Sequence, residues 1–178
     1  PATLNLRGGR DMDPLVTSLW NQDNPYNAMC PEDDAGPGGH VYVGCVSTAM
    51  SIIMHYWRYP LSGTGSHSYN WPPYGTISAN FGEADYNWDG MTDVINDKYI
   101  WEIAEIGFHG AVSVDMMFGW DGSGAYSEDV PYALKNYFNY QNSVQHVSKS
   151  GTTSSTWESW MQAELDNFRP IYYSGRSS

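Results

Sequence analysis

Cys45 is one of only two cysteines in the chain, and it stands between a glycine-rich approach and an apolar run, in GGHVYVGCVSTAMSIIMHYWRYP (residues 38–60). Apolar residues from Val46 to Trp57 recur at helical spacing, and Tyr59-Pro60 is a helix stop, so we expect a buried central helix. A thiol in the first turn of a helix meets the partial positive charge of the helix dipole, which favours the thiolate. The pattern is compatible with a nucleophilic cysteine and also with a structural thiol in the core.

Gln22 is the candidate partner of a Cys45 nucleophile. It lies in a segment of turn formers, WNQDNPYN (residues 20–27), from which its side-chain amide could reach Cys45. That amide and the backbone N–H of Cys45 would form a two-donor oxyanion hole. The second cysteine, Cys30, could instead pair with Cys45 and remove the nucleophile, remain free, or bridge to a segment outside this chain.

Four segments together resemble the streptopain family of secreted papain-like cysteine peptidases. They are WNQDNPYNAMCP (20–31), GCVSTAMSIIMHYWRYP (44–60), AVSVDMMFGWDGSGAYSEDVPYALKNYF (111–138) and RPIYYSGRSS (169–178). The resemblance implies an α+β, papain-like fold in which a helical half faces an antiparallel sheet half across a cleft. It also implies that Cys45 is the nucleophile and Gln22 the oxyanion-hole glutamine.

The loop from Gly122 to Glu128, within the third of these segments, is implied to border the substrate cleft. By resemblance its substrate-binding residues are Gly122, Ser123, Gly124, Ser127 and Glu128, although the family often has a serine where Glu128 stands.

The general-base histidine of the family follows the segment that ends this chain. The resemblance therefore implies that residues 1–178 form the N-terminal two-thirds of a single peptidase domain whose sheet is incomplete at Ser178. We expect the C-terminal fragment of the same precursor to complete it, after cleavage in the loop beyond Gly175. His55, ten residues into the Cys45 helix, would lie about 15 Å away and cannot substitute.

Composition excludes several other classes of protein. The net charge is −12, from 8 basic and 20 acidic residues, which argues against nucleic acid and against an anionic membrane surface. No apolar run reaches the length of about 18 residues needed for a membrane span. Neither a zinc nor a calcium motif is present, and we expect no cofactor. The predicted partner besides the C-terminal fragment is a polypeptide substrate; a non-catalytic module that binds peptide or glycan through exposed aromatic residues is the alternative.

The remaining pattern predicts the elements that position these residues. Residues 61–87 are expected to form a long loop or a short hairpin. The further predicted elements are helices over Thr92–Phe108, Ser127–Phe138 and Ser155–Phe168, and strands over Ala111–Met116, Ser143–Ser148 and Arg169–Gly175.

Overall fold

The computed structural model describes residues 13–95 and 100–175. Within these ranges the chain forms four α-helices and one two-stranded antiparallel sheet. The helices are α1 (Cys45–Trp57), α2 (Ile100–Ser113), α3 (Val130–Tyr137) and α4 (Ser154–Asp166), and the strands are β1 (Ser66–Trp71) and β2 (Gly75–Asn80). The predicted α+β class is confirmed. None of the described helices is long and apolar enough to cross a membrane.

Helix α1 forms where the apolar pattern predicts it, but only one of its faces is buried. Met50 and Met54 are buried together with Ser47, Ser51 and His55, whereas the Ala49, Ile52 and Ile53 side is only half-buried. The two serines donate hydrogen bonds to the carbonyl oxygens of Gly107 and Ile106 in α2. The expectation of an all-round buried helix is therefore wrong, because small polar residues make the close contact with α2.

Gly110 explains how closely the two helices approach. A Cβ atom at this position would lie 2.5 Å from Ser47 Oγ. Since no side chain fits there, the α1–α2 crossing depends on this glycine. The crossing fixes the orientation of the helix that begins at Cys45.

The segment 61–87 contains the hairpin, with Ser66 opposite Asn80 and Trp71 opposite Gly75. Its side chains attach it to the segment after α2: Tyr69 Oη donates to the carbonyl oxygen of Met116 at 2.7 Å, and Trp71 Nε1 to that of Phe118 at 2.8 Å. The hairpin thereby supports the stretch that leads into the glycine-rich loop.

The three predicted strands are wrong. Residues 111–113 continue α2 instead of beginning a strand. Polar Ser113 is buried there and donates a hydrogen bond to the carbonyl oxygen of Gly110. The alternation of apolar and polar residue types in this segment therefore does not correspond to alternating buried and exposed side chains. Residues 143–148 are largely exposed, and residues 169–175 have no regular secondary structure and form no ladder with any described residue. A strand requires a paired neighbour, and a pattern of residue types does not supply one.

The boundaries of the other predicted helices also shift. The described part of Thr92–Phe108 is helical only from Ile100, and Ser127–Asp129 is a 3-10 turn that precedes α3. Helix α4 begins earlier than predicted because Thr153, rather than Ser155, is its N-cap: Thr153 Oγ1 accepts a hydrogen bond from the backbone N–H of Thr156.

Candidate functional site

Cys45 is the first residue of α1, and its side chain is exposed. Gly44, the N-cap, has φ +91°, and a Cβ atom here would lie 2.6 Å from Met116 Sδ. Glycine is therefore required for its backbone conformation and for its close packing. Thr48 closes the first turn, since its N–H and its hydroxyl both donate to the carbonyl oxygen of Gly44.

Gln22 is fixed next to Cys45 by backbone hydrogen bonds. Its carbonyl oxygen accepts from the N–H of Val43, at 3.0 Å, and its own N–H donates to Asn21 Oδ1 at 2.8 Å. Val43 is buried two residues before Cys45, so this bond ties the Gln22 segment to the entry of α1. The structure thus brings together the two residues that the sequence assigns to one site.

A cavity of about 170 Å³ lies between Gln22 and α1. Its lining residues are Asn21, Gln22, Cys45, Thr48, Ala49 and Ile52. Residues 45, 48, 49 and 52 share one helix face, so the cavity runs from the thiol along α1. Thr48 and Asn21 were not predicted as site residues; helical spacing from Cys45 could have identified Thr48.

The glycine-rich loop approaches the same helix end from the other side. The carbonyl oxygen of Ser123 would lie 3.3 Å from a Cβ atom at Gly44. Gly124 forms a two-way backbone bridge with Met117, which holds the loop against the segment after α2. Gly122 and Glu128 are both exposed. The loop that carries the five predicted substrate-binding residues therefore borders the entry of α1.

Tyr172, which the sequence analysis did not single out, contacts one of the predicted site residues. Its hydroxyl lies 3.0 Å from Ser127 Oγ. Burial raises the pKa of Tyr172, the hydrogen bond with Ser127 lowers it, and negative charge on Cys45 raises it again, so the phenol lies within electrostatic reach of the thiol. Its position inside RPIYYSG, a segment that carries the family resemblance, was the available signal.

No histidine of the described residues hydrogen-bonds to Cys45. His40 Nδ1 contacts the carbonyl oxygen of Cys30 at 2.7 Å, and His67 pairs with Asp115. His55 and His109 are buried among aromatic rings, and His146 is exposed.

Cys30 is free and buried, with 4% of its surface exposed, so the structure does not pair it with Cys45. Burial raises the pKa of the Cys30 thiol far above its ordinary value, which keeps it protonated. No group of three or more His, Cys, Asp or Glu side chains with metal-binding geometry occurs among residues 13–95 and 100–175.

Sequence comparison places the chain among cysteine peptidases. The profile of the peptidase C10 family matches residues 20–178. The chain is 32% identical to the thiol protease/hemagglutinin PrtT of Porphyromonas gingivalis, an alignment that covers 94% of this chain and 20% of that protein. It is also 32% identical to streptopain of Streptococcus pyogenes serotype M28, over 91% of this chain and 47% of streptopain.

Solved structures agree. Active wild-type interpain A, a cysteine protease of Prevotella intermedia, superimposes with a TM-score of 0.80 at 31% identity, over 87% of this chain and 65% of interpain A. A fragment of prointerpain A superimposes with a TM-score of 0.78 at 30% identity, over 86% of this chain and 51% of the fragment. The predicted papain-like fold is confirmed by this likeness. The chain spans less than half of the length of the curated relatives it matches.

Proposed function

The chain belongs to the peptidase C10 family, and from this premise we propose that it carries the nucleophile and the oxyanion hole of a secreted cysteine endopeptidase. The observation that carries the proposal is the shared cavity: an exposed thiol at the first residue of α1 and a backbone-anchored glutamine line the same space. The proposed substrate is a polypeptide that lies along this cavity and the loop from Gly122 to Glu128.

The proposed reaction follows from the placement of these groups. The Cys45 thiolate attacks the carbonyl carbon of the scissile peptide bond, and the carbonyl oxygen becomes an oxyanion. The Gln22 side-chain amide and the Cys45 N–H donate hydrogen bonds to that oxygen. Collapse of the intermediate breaks the C–N bond and leaves a thioester on Cys45, while the leaving amine takes a proton. Water then adds to the thioester, releases the carboxylic acid and restores the thiol.

The proton donor in this scheme lies outside residues 1–178. The leaving amine requires an imidazole beside the thiolate. Four of the five histidines here are held by other hydrogen-bond partners, and the exposed His146 makes no hydrogen bond to Cys45. We propose that the C-terminal part of the same precursor supplies it and completes one papain-like domain, either as a continuous chain or after cleavage beyond Gly175.

Intact mass spectrometry under denaturing conditions tests this proposal. The native protein is measured before and after treatment with an epoxysuccinyl inhibitor of cysteine peptidases. We expect one inhibitor adduct at Cys45, none in Cys45→Ala, and the C-terminal fragment as a second species if the enzyme is cleaved. A single species of 19.9 kDa that takes no inhibitor would contradict the proposal and favour a non-catalytic binding module.

Gln22 is tested by substitution. In the complete enzyme, Gln22→Ala should lower kcat roughly 100-fold, because one oxyanion donor is lost. Asp23→Ala is the matched control, since Asp23 follows Gln22 in the same turn and does not line the cavity. Equal losses in the two variants would argue against the assigned role.

A further inference from the structure

Ser18, His55 and Asp93 form a polar cluster that the proposed reaction does not use. Ser18 Oγ lies 2.7 Å from His55 Nδ1 and 3.4 Å from Asp93 Oδ1. The three residues belong to the N-terminal segment, to the last turn of α1 and to the stretch before α2. The cluster therefore joins three parts of the chain that are remote in sequence.

The hydrogen bonds define the state of His55. Its Nε2 lies 2.7 Å from the carbonyl oxygen of Met91, which can only accept, so Nε2 carries a proton. Burial lowers the pKa of His55, which favours the neutral ring, and the single Ser18 hydroxyl proton then faces two acceptors, His55 Nδ1 and Asp93 Oδ1. The carbonyl oxygen of Met91 thus orients the imidazole, and the imidazole in turn holds the Ser18 hydroxyl.

The cluster is not a second hydrolytic triad. In such a triad the carboxylate bonds to the imidazole nitrogen away from the serine. Here Asp93 Oδ1 lies on the serine side, 3.9 Å from Nδ1, and a backbone carbonyl occupies the other side. The ring of Trp20 also packs on the imidazole, with a centroid distance of 4.6 Å.

The cluster instead fixes the residues that lead to Gln22. After Ser18, the N–H of Leu19 donates to the carbonyl oxygen of Asp93 at 2.7 Å, and Trp20 Nε1 donates to that of Thr92 at 2.8 Å. The next anchor is the bond between Val43 N–H and the Gln22 carbonyl oxygen. The Gln22 segment is therefore attached to α1 at both ends: at Val43, before Cys45, and at His55, near the end of the helix.

We propose that Ser18 and His55 are positioning residues for Gln22, which hold the oxyanion-hole segment against the helix that carries Cys45. The catalytic consequence of this inference rests on the proposed function. The attachment of the Gln22 segment to α1 through Ser18 and His55 does not depend on it. A hydrogen bond in the last turn of α1 would thus set the geometry at its first turn, because the rigid helix transmits the position of the segment.

The attachment is tested on the protein with its C-terminal part, without any substrate. In Ser18→Ala, the Val43 amide should exchange with solvent roughly fivefold faster by NMR, since loss of one hydrogen bond loosens the Gln22 contact. Exposed Thr17 provides the matched control, Thr17→Ala, which should leave Val43 unchanged. Ser18→Thr keeps a hydroxyl and should restore protection. Unchanged protection of Val43 in Ser18→Ala would overturn the inference.

The catalytic consequence is measured on the enzyme with its C-terminal part. Ser18→Ala should lower kcat severalfold at an unchanged KM, since an oxyanion hole acts in the transition state, and Ser18→Thr should recover it. A rise in KM alone, an equal effect of Thr17→Ala, or an unchanged kcat despite faster Val43 exchange would overturn the positioning role. Absence of activity in the unsubstituted enzyme would contradict the proposed function alone, and Val43 exchange would still decide the inference.

Discussion

At the scale of single residues, the two cysteines have opposite environments. Cys45 is exposed at a helix N-terminus, whereas Cys30 is buried and its pKa is raised by burial. The thiolate is the reactive form of a cysteine, so burial and a raised pKa make Cys30 unreactive, whereas Cys45 is accessible.

Alkylation should therefore be selective. With limiting iodoacetamide near neutral pH, peptide mapping by mass spectrometry should find the label on Cys45 and almost none on Cys30. Denaturation should make both thiols reactive, which is the internal control. Equal labelling in the native state, or a disulfide between the two cysteines, would contradict the structure.

Gly44 provides a second residue-scale prediction. Gly44→Ala introduces a Cβ atom at positive φ and against Met116, so it should destabilise the fold by about 1–2 kcal/mol for the backbone and by about 1–3 kcal/mol for overpacking. Gly39→Ala is the matched control, since Gly39 has φ +84° but no atom within 4 Å of its Cβ position. Urea unfolding should show the larger loss in Gly44→Ala, and equal losses would mean that Met116 moves away freely.

At the scale of elements, α2 carries a buried ionisable group into the core. His109 Nδ1 lies 2.9 Å from the hydroxyl of Tyr86, and the ring packs edge-on against Phe81. Burial lowers the pKa of His109 from 6.5 to about 4, because the charged imidazolium loses its hydration there.

The stability of the α2 packing should accordingly depend on pH. Between pH 6.5 and about 4 the unfolded chain binds a proton at His109 and the folded chain does not, so stability is complete above 6.5 and decreases as the pH falls. The two pKa values correspond to a loss of about 3 kcal/mol. Urea unfolding at several pH values should show that His109→Gln loses less stability on acidification than the unsubstituted protein. His146→Gln, a change at an exposed histidine, should lose as much stability as the unsubstituted protein.

At the scale of the whole molecule, the net charge of −12 sets the field around the cleft. Asp121 and Glu128 lie in the loop that borders the entry of α1, and both are exposed. Such a field attracts positive ligands and repels negative ones, and salt screens it.

Under the proposed function, this field should make the rate of peptide cleavage depend on the charge of the peptide. A lysine-flanked peptide should have a higher kcat/KM than its glutamate-flanked counterpart by about tenfold at low salt, and the ratio should shrink towards one near 0.5 M salt. A neutral peptide of the same length is the control. A salt-independent ratio would indicate a local contact instead of the overall field.

From residue types at short range, Cys45 before an apolar helix and Gln22 in its turn segment were only candidates for one site. The family resemblance supplied their predicted roles and the glycine-rich loop. It then linked them across the chain, and the α+β class followed from it. Helix α1 was predictable from the residues, since its periodicity and its proline stop are local properties.

Only the tertiary structure decided which faces meet. It buried the serine side of α1 because Gly110 permits close packing, and it continued α2 through Ser113 where the alternation favoured a strand. Residues 169–175 acquired no strand partner among the described residues, while Tyr172 reached Ser127. Strand pairing and the Ser18–His55 hydrogen bond join residues that are remote in the sequence. The local pattern of residue types does not specify such contacts.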